Sequence, residues 1–199
     1  MITVLDYKLN NLRSIENTLR RLGHEVKTTS DPEDVGKADK LILPGVGAFR
    51  DGMHNLAEFG LIEPFIERVR AGVPTLGICL GMHLLFSESE EFGRHRGLDL
   101  IAGRVRRIPD GVHVPHMGWN QLRLRQSDAF LAGIEPGSFV YFVHSYYTEP
   151  AAANATLAST DHGIEFPAIV RQNNIWATQF HPEKSQKVGE RLLDNFARL

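Results

Sequence analysis

The chain has 199 residues, 42% of them hydrophobic and 23% charged, an ordinary balance for a folded chain with a sizeable buried core. Its net charge of -2 forces no basic face on it, which argues against duplex nucleic acid as a partner. The lone cysteine excludes an internal disulfide and suits a reducing compartment. With no secretory pattern at residues 1–6 and no apolar run near the ~20 residues of a membrane helix, the expectation is a cytoplasmic protein free of membrane contacts, metals and cofactors.

No repeat, low-complexity tract or linker interrupts the sequence, so residues 1–199 are expected to form one domain. The apolar run Ile2–Leu5 predicts a strand. Leu12, Ile15, Leu19 and Leu22 then recur at helical spacing, and Gly23 supplies a C-cap. Residues 25–28 and 41–43 predict further strands, the second stopped by Pro44-Gly45-Val46-Gly47. Helices are expected over 52–58 and 62–71, a strand over 73–78 and a helix over 80–87. This alternation predicts an α/β fold, with a mostly parallel central sheet covered by helices on both faces. Later runs at 105–108, 121–125, 139–144, 156–159, 168–171 and 175–180 read as strands, with Asn173-Asn174 as a tight turn. They predict an antiparallel extension of the same sheet. Residues 187–199 close the chain as an amphipathic helix, with Val188, Leu192, Leu193 and Phe196 inward.

The most informative stretch is Leu76-Gly77-Ile78-Cys79-Leu80-Gly81. A buried strand runs into a cysteine flanked two residues away on each side by glycine, and a helix follows. This is the nucleophile-elbow pattern with cysteine in the serine position. The glycines permit a sharp turn where a Cβ would crowd the backbone. The turn lifts the sulfur above the carboxyl ends of the strands, where open α/β sheets bind ligands. It also sets Cys79 at a helix N-terminus, which favours thiolate. The Leu80 amide, the first there, can stabilise an oxyanion. A lone cysteine is most often a small buried hydrophobe; the paired glycines turn the reading toward catalysis.

A thiol nucleophile needs a base. Among nine histidines, His181 follows an apolar strand and precedes Pro182-Glu183. Proline disfavours helix at the residue before it, and residues two apart in an extended segment point the same way. Glu183 is thus expected beside the His181 ring, accepting its second N–H and fixing the tautomer. The order Cys, His, acid differs from that of serine α/β-hydrolases. The glycine-containing loop 44–47 admits two readings: a second oxyanion donor, or an ordinary βα connection.

Together Pro44-Gly45-Val46-Gly47, Gly77-Ile78-Cys79-Leu80-Gly81 and His181-Pro182-Glu183 resemble the class I (triad) glutamine amidotransferase family. Asn11-Leu12-Arg13-Ser14, Pro115-His116-Met117-Gly118-Trp119-Asn120, His144-Ser145-Tyr146-Tyr147 and Lys184-Ser185 resemble, within it, the glutaminase subunits of imidazole glycerol phosphate synthases. The resemblance covers essentially the whole chain. It implies that Cys79 attacks the side-chain carbonyl of glutamine, releasing ammonia and leaving a thioester that water cleaves to glutamate. It implies an oxyanion hole from the backbone amides of Val46 and Leu80, and glutamine held by Gly47, His83, Ser145 and Tyr146. It implies a heterodimer with a (β/α)8-barrel cyclase subunit that receives the ammonia, with Asn11, Trp119 and Lys184 at the interface.

Two segments depart from the family pattern. His83 stands where a substrate-binding glutamine is usual, and its charge is expected to vary near neutral pH. Lys8-Leu9-Asn10 replaces the usual Gly-x-Gly, which implies a changed loop path near the partner. The competing functions are a cysteine hydrolase or another synthase's glutaminase on the same scaffold, or a catalytically weak regulatory module.

Overall fold

The computed structural model describes residues 1–9 and 12–199. In chain order the elements are β1 (Ile2–Leu5), α1 (Leu12–Arg21), β2 (Val26–Thr29), α2 (Pro32–Gly36), β3 (Lys40–Leu43), α3 (Phe49–Glu58), α4 (Ile62–Arg70), β4 (Thr75–Ile78) and α5 (Leu80–Leu84). There follow β5 (Phe86–Ser89), β6 (His95–Arg96), β7 (Ile101–Arg107), β8 (His116–Gln121), β9 (Arg123–Leu124), β10 (Phe139–His144), β11 (Tyr146–Pro150), β12 (Thr156–Asp161), β13 (Glu165–Gln172), β14 (Ile175–Thr178) and α6 (Gln186–Arg198).

The central sheet has the strand order β2-β1-β3-β4-β14-β13-β12-β9. Strands β2 to β14 of that order run parallel, and β13, β12 and β9 add on in alternating directions. This is the parallel sheet with an antiparallel extension that the sequence predicts. The side-chain period of two divides the core. Ile2, Val4, Ile42, Leu76 and Ile78 face one side and pack with Ile15 and Leu19 of α1 and Leu192, Leu193 and Phe196 of α6. Leu5, Leu41 and Leu43 face the other, against Phe49 and Leu56 of α3, Phe65 of α4 and Leu80 of α5. Each large side chain so buried contributes about 1.5–3 kcal/mol. Val188 packs at the margin of the first cluster, so the expected inward face of α6 is the observed one. No helix among the described residues is long and apolar enough to cross a membrane.

Two expectations are corrected. The later strands do not all extend the central sheet: β8 pairs with β10 separately, and β11-β7-β5-β6 form another sheet. The helix expected over 80–87 ends at Leu84, and Phe86–Ser89 is a strand. The carbonyls of Leu84 and Leu85 accept from the amides of Leu98, Leu100 and Ile101, so they are unavailable to a further helical turn.

Candidate active site

The carboxyl ends of β1, β3, β4 and β14 lie side by side, and each delivers a loop to one edge of the sheet. After β4 the backbone turns sharply at Cys79, with φ 53° and ψ -107°. A non-glycine residue held there is strained by about 1–3 kcal/mol. The turn is fastened on both sides: Cys79 N–H donates to the Thr178 carbonyl at 2.7 Å, and His83 N–H donates to the Cys79 carbonyl at 3.2 Å. A Cβ at Gly81 would strike the Leu43 carbonyl, and one at Gly77 would reach 2.6 Å from Leu85 and 3.0 Å from the Met82 nitrogen. Gly81 is therefore required by close approach to backbone, while at Gly77 the Leu85 methyl would have to give way and the Met82 nitrogen leaves little room. Helix α5 is a bare five residues, so its dipole is a weak influence on the thiol.

The stronger influence is His181, which follows β14. Its N–H donates to the Tyr141 carbonyl at 3.0 Å, and its own carbonyl accepts from Ser185 Oγ at 2.7 Å. The side chain is 2% exposed. Nδ1 meets Glu183 Oε1 at 2.8 Å, as the His-Pro-Glu spacing predicts, but the geometry differs from the expected extended run. Pro182–Lys184 form one 3-10 turn with proline at its start, and that turn brings the carboxylate back to the ring. Burial alone would push the His181 pKa down. The neighbouring Cys79 and Glu183 outweigh it, so the imidazole is held well above its ordinary range. Among the described residues Nε2 has no aligned hydrogen-bond partner, so it is open to a thiol or a leaving group.

Beside Cys79 lies a cavity of about 340 Å³ whose walls include Val46, Gly47, His83, Glu91, Ser145 and Tyr146. All four residues expected to hold a substrate are thus brought together. Gly47 has φ 118°, a conformation costly for other residues. His83 stands at the wall, buried, with Nε2 2.8 Å from Gln179 Oε1. Burial pushes its pKa down to about 4, against the opposing hydrogen bond. The ring is neutral throughout the neutral range, which corrects the expectation of a charge varying there. Glu91 was not singled out from the sequence. It accepts from the Phe49 amide at 2.6 Å, and burial raises its pKa; a bound ammonium would be its natural counter-ion. A larger hollow of about 610 Å³, beside Arg125 and Pro167, contains none of these groups. Among the described residues no group of three or more His, Cys, Asp or Glu converges as a metal site.

The two amides expected to form the oxyanion hole are both occupied. Leu80 N–H donates to the Gly45 carbonyl at 3.3 Å, and Val46 N–H donates to the Leu9 carbonyl at 2.7 Å. The Gly45 carbonyl and the Val46 N–H belong to one peptide unit. Turning that unit over frees the Leu80 amide and presents the Val46 amide in the same movement. Tyr7 Oη donates to the Pro44 carbonyl and fixes the loop just before this unit.

Of the residues expected at a partner surface, Trp119 is 46% exposed on β8, next to exposed Met117 and Phe139. Trp119 and Tyr141 are paired across β8 and β10 with ring centroids 5.9 Å apart. The Lys184 amine lies 5.9 Å above the Tyr141 ring. Asn11, and Asn10 of the departing loop, fall outside the described residues.

An elbow cysteine, a histidine–carboxylate pair and a glycine-containing loop beside the elbow at one end of a parallel sheet can perform acyl transfer through a thioester. The chain belongs to the class-I glutamine amidotransferase family, whose profile matches residues 3–199. More particularly, the imidazole glycerol phosphate synthase subunit HisH of Syntrophotalea carbinolica is 50% identical over 98% of both chains. Its counterpart from Moorella thermoacetica is 48% identical over 100% of this chain and 94% of its own. In fold the chain matches a crystal structure of a glutamine amidotransferase, with TM-score 0.79 at 22% identity over 100% and 99% of the two chains. PurLQS from Thermotoga maritima gives 0.77 at 16% identity, over 99% and 97%.

Proposed function

We propose that this chain is the glutaminase subunit of an imidazole glycerol phosphate synthase, acting as one domain over residues 1–199 in the cytoplasm. The observation that carries the reading is Cys79 at the cavity wall, with His181 beside it and Glu183 paired to that imidazole, in a chain about half identical to HisH subunits along its length.

Cys79 Sγ attacks the side-chain carbonyl carbon of glutamine. The His181 imidazolium gives its proton to the departing ammonia, and the neutral ring then draws a proton from the water that cleaves the thioester. Glu183 orients the ring and stabilises its positive form. Gly47, Ser145 and Tyr146 enclose the amino-acid end of the substrate, His83 closes the wall beside the elbow, and Glu91 takes the α-ammonium. The Val46 and Leu80 amides serve as the oxyanion hole after the Gly45–Val46 peptide turns over, so the resting enzyme hydrolyses slowly until a partner or ligand favours the turned state. Ammonia passes to a (β/α)8-barrel cyclase subunit docked on the face that carries Trp119 and Lys184.

The test is glutamate release from glutamine by the chain alone, with the cyclase, and with the cyclase and its ribonucleotide ligand. Release should rise on addition of the partner and its ligand and vanish in Cys79→Ala, while the complex still uses free ammonia. Hydrolysis near the parent rate in Cys79→Ala would overturn the mechanism.

A further inference from the structure

Three histidines beyond the triad have their ring nitrogens or faces in contact near the pocket, and the mechanism above gives them no task. His116 and His144 are paired across β8 and β10, both are buried, and His144 lines the cavity. Their tautomers follow from their neighbours. His144 Nδ1 lies 2.9 Å from the Tyr146 carbonyl. A carbonyl only accepts, so Nδ1 carries the hydrogen and Nε2 of the neutral ring offers a lone pair. His116 Nδ1, 2.9 Å from that Nε2, must then donate. Its own Nε2 accepts from Asn120 Nδ2 at 3.2 Å. The Asn120 amide is oriented independently: its Oδ1 accepts from the Gln121 amide at 2.8 Å, and Nδ2 also donates to the Asp161 carbonyl at 2.8 Å. Every member agrees in one direction, from Asn120 through His116 and His144 to the backbone of Tyr146.

The chain of bonds is also clamped. The His116 ring is stacked between Phe142, with centroids 4.7 Å apart, and His162 at 4.1 Å. His162 is held in turn by the His113 carbonyl, 2.8 Å from its Nε2. Phe166 stands edge-on to both His116 and His144. Desolvation holds both rings of the relay in the neutral form this direction requires.

We infer that His116 and His144 are positioning residues for the glutamine pocket. Their one-way hydrogen-bond relay fixes the Ser145–Tyr146 wall to β8, the strand whose outer side carries Met117 and Trp119. The inference deepens the glutaminase reading and rests on it. A load on the outer face of β8 would reach the pocket wall through one clamped ring rather than through the loop that holds the oxyanion amides. The relay touches no reacting atom, so its loss alters how glutamine is held and leaves the acyl-transfer groups in place.

The experiment has two arms. In the first, the full chain with 15N-labelled histidine is examined by NMR at neutral pH, where imidazole nitrogen shifts distinguish the two neutral tautomers. His116 and His144 should both carry the hydrogen on Nδ1; an Nε2–H tautomer at either overturns the relay. In the second, glutamine saturation is measured for the complex with the cyclase and its ligand. His116→Leu strands the His144 acceptor and should raise KM about 10-fold with kcat nearly unchanged. His116→Gln, which both donates and accepts, should bring KM back toward the parent value. A parental KM in His116→Leu, or a loss confined to kcat, overturns the inference. If His116→Leu does not fold, the tautomers of the parent still decide. A parent that hydrolyses no glutamine would instead overturn the glutaminase reading, with the tautomer result standing apart from it.

Discussion

Replacing His83 by glutamine should make the protein less sensitive to acid. Burial holds the folded-state pKa of His83 at about 4, against about 6.5 for the same side chain in an unfolded chain. Between those values the unfolded chain binds a proton that the folded one does not, so stability falls as pH falls through this window. The two pKa values give a loss of about 2 kcal/mol on going from pH 7.5 to pH 5, with a ceiling of about 3 kcal/mol below pH 4. Glutamine at position 83 can donate to Gln179 Oε1 as the imidazole does, and it does not titrate. His116 and His144, whose pKa values are also lowered by burial, steepen the acid loss in both proteins and cancel from the comparison. His181 has a raised pKa and is protonated in both folded and unfolded states at pH 5. Its contribution is present below its unfolded pKa and lost only as pH rises through the folded value. Urea unfolding of parent and His83→Gln at the two pH values, followed by tryptophan fluorescence, gives four stabilities. The parent should lose about 2 kcal/mol more than the variant; equal losses would refute the reasoning that the ring is buried and neutral.

The triad should divide unequally under mutation. His181→Ala should reduce kcat more than Glu183→Ala, because the base moves protons while the carboxylate only orients it; equal losses in folded variants contradict the roles. Gly81→Ala should destabilise the fold by about 1–3 kcal/mol or more, since its methyl group meets the Leu43 carbonyl, and thermal unfolding would measure this. Trp119→Ala should weaken association with the cyclase at least tenfold, as for a central aromatic anchor, read by sedimentation of the mixed subunits; unchanged association would remove Trp119 from the interface.

What was legible in the sequence follows from how local each signal is. The parallel half reads easily because β1, β3 and β4 are short, largely apolar runs and each long helix has one apolar stripe. Residues 80–87 fail because Leu80 to Phe86 are buried throughout and, His83 aside, without a polar side chain; periodicity has little to distinguish there, and the amides of residues 98–101 decide where the helix ends. Cys79 is legible because its flanking glycines answer a steric need within two residues. The His181–Glu183 contact is legible from spacing, although it arises by a 3-10 turn. Glu91 lies in an acidic run, Glu88-Ser89-Glu90-Glu91, which reads as a solvated face; only its capping of the Phe49 amide draws it to the cavity. The histidine relay depends on the register of β8 against β10, and local pattern does not encode that.

The position of β14 in the sheet bears on the order of synthesis. It sits between β4 and β13, yet among the strands it is the last made. A nascent chain that already holds β2, β1, β3 and β4 has an open edge on β4, whose four residues are all destined for burial. Such an edge is an invitation to pair with another chain. At that stage Cys79 also lacks the Thr178 carbonyl that fastens its turn and the imidazole that would activate it. The pairing of the thiol with its base therefore forms only in a chain extended at least through Glu183, when the strand that fills the gap beside β4 also delivers the imidazole.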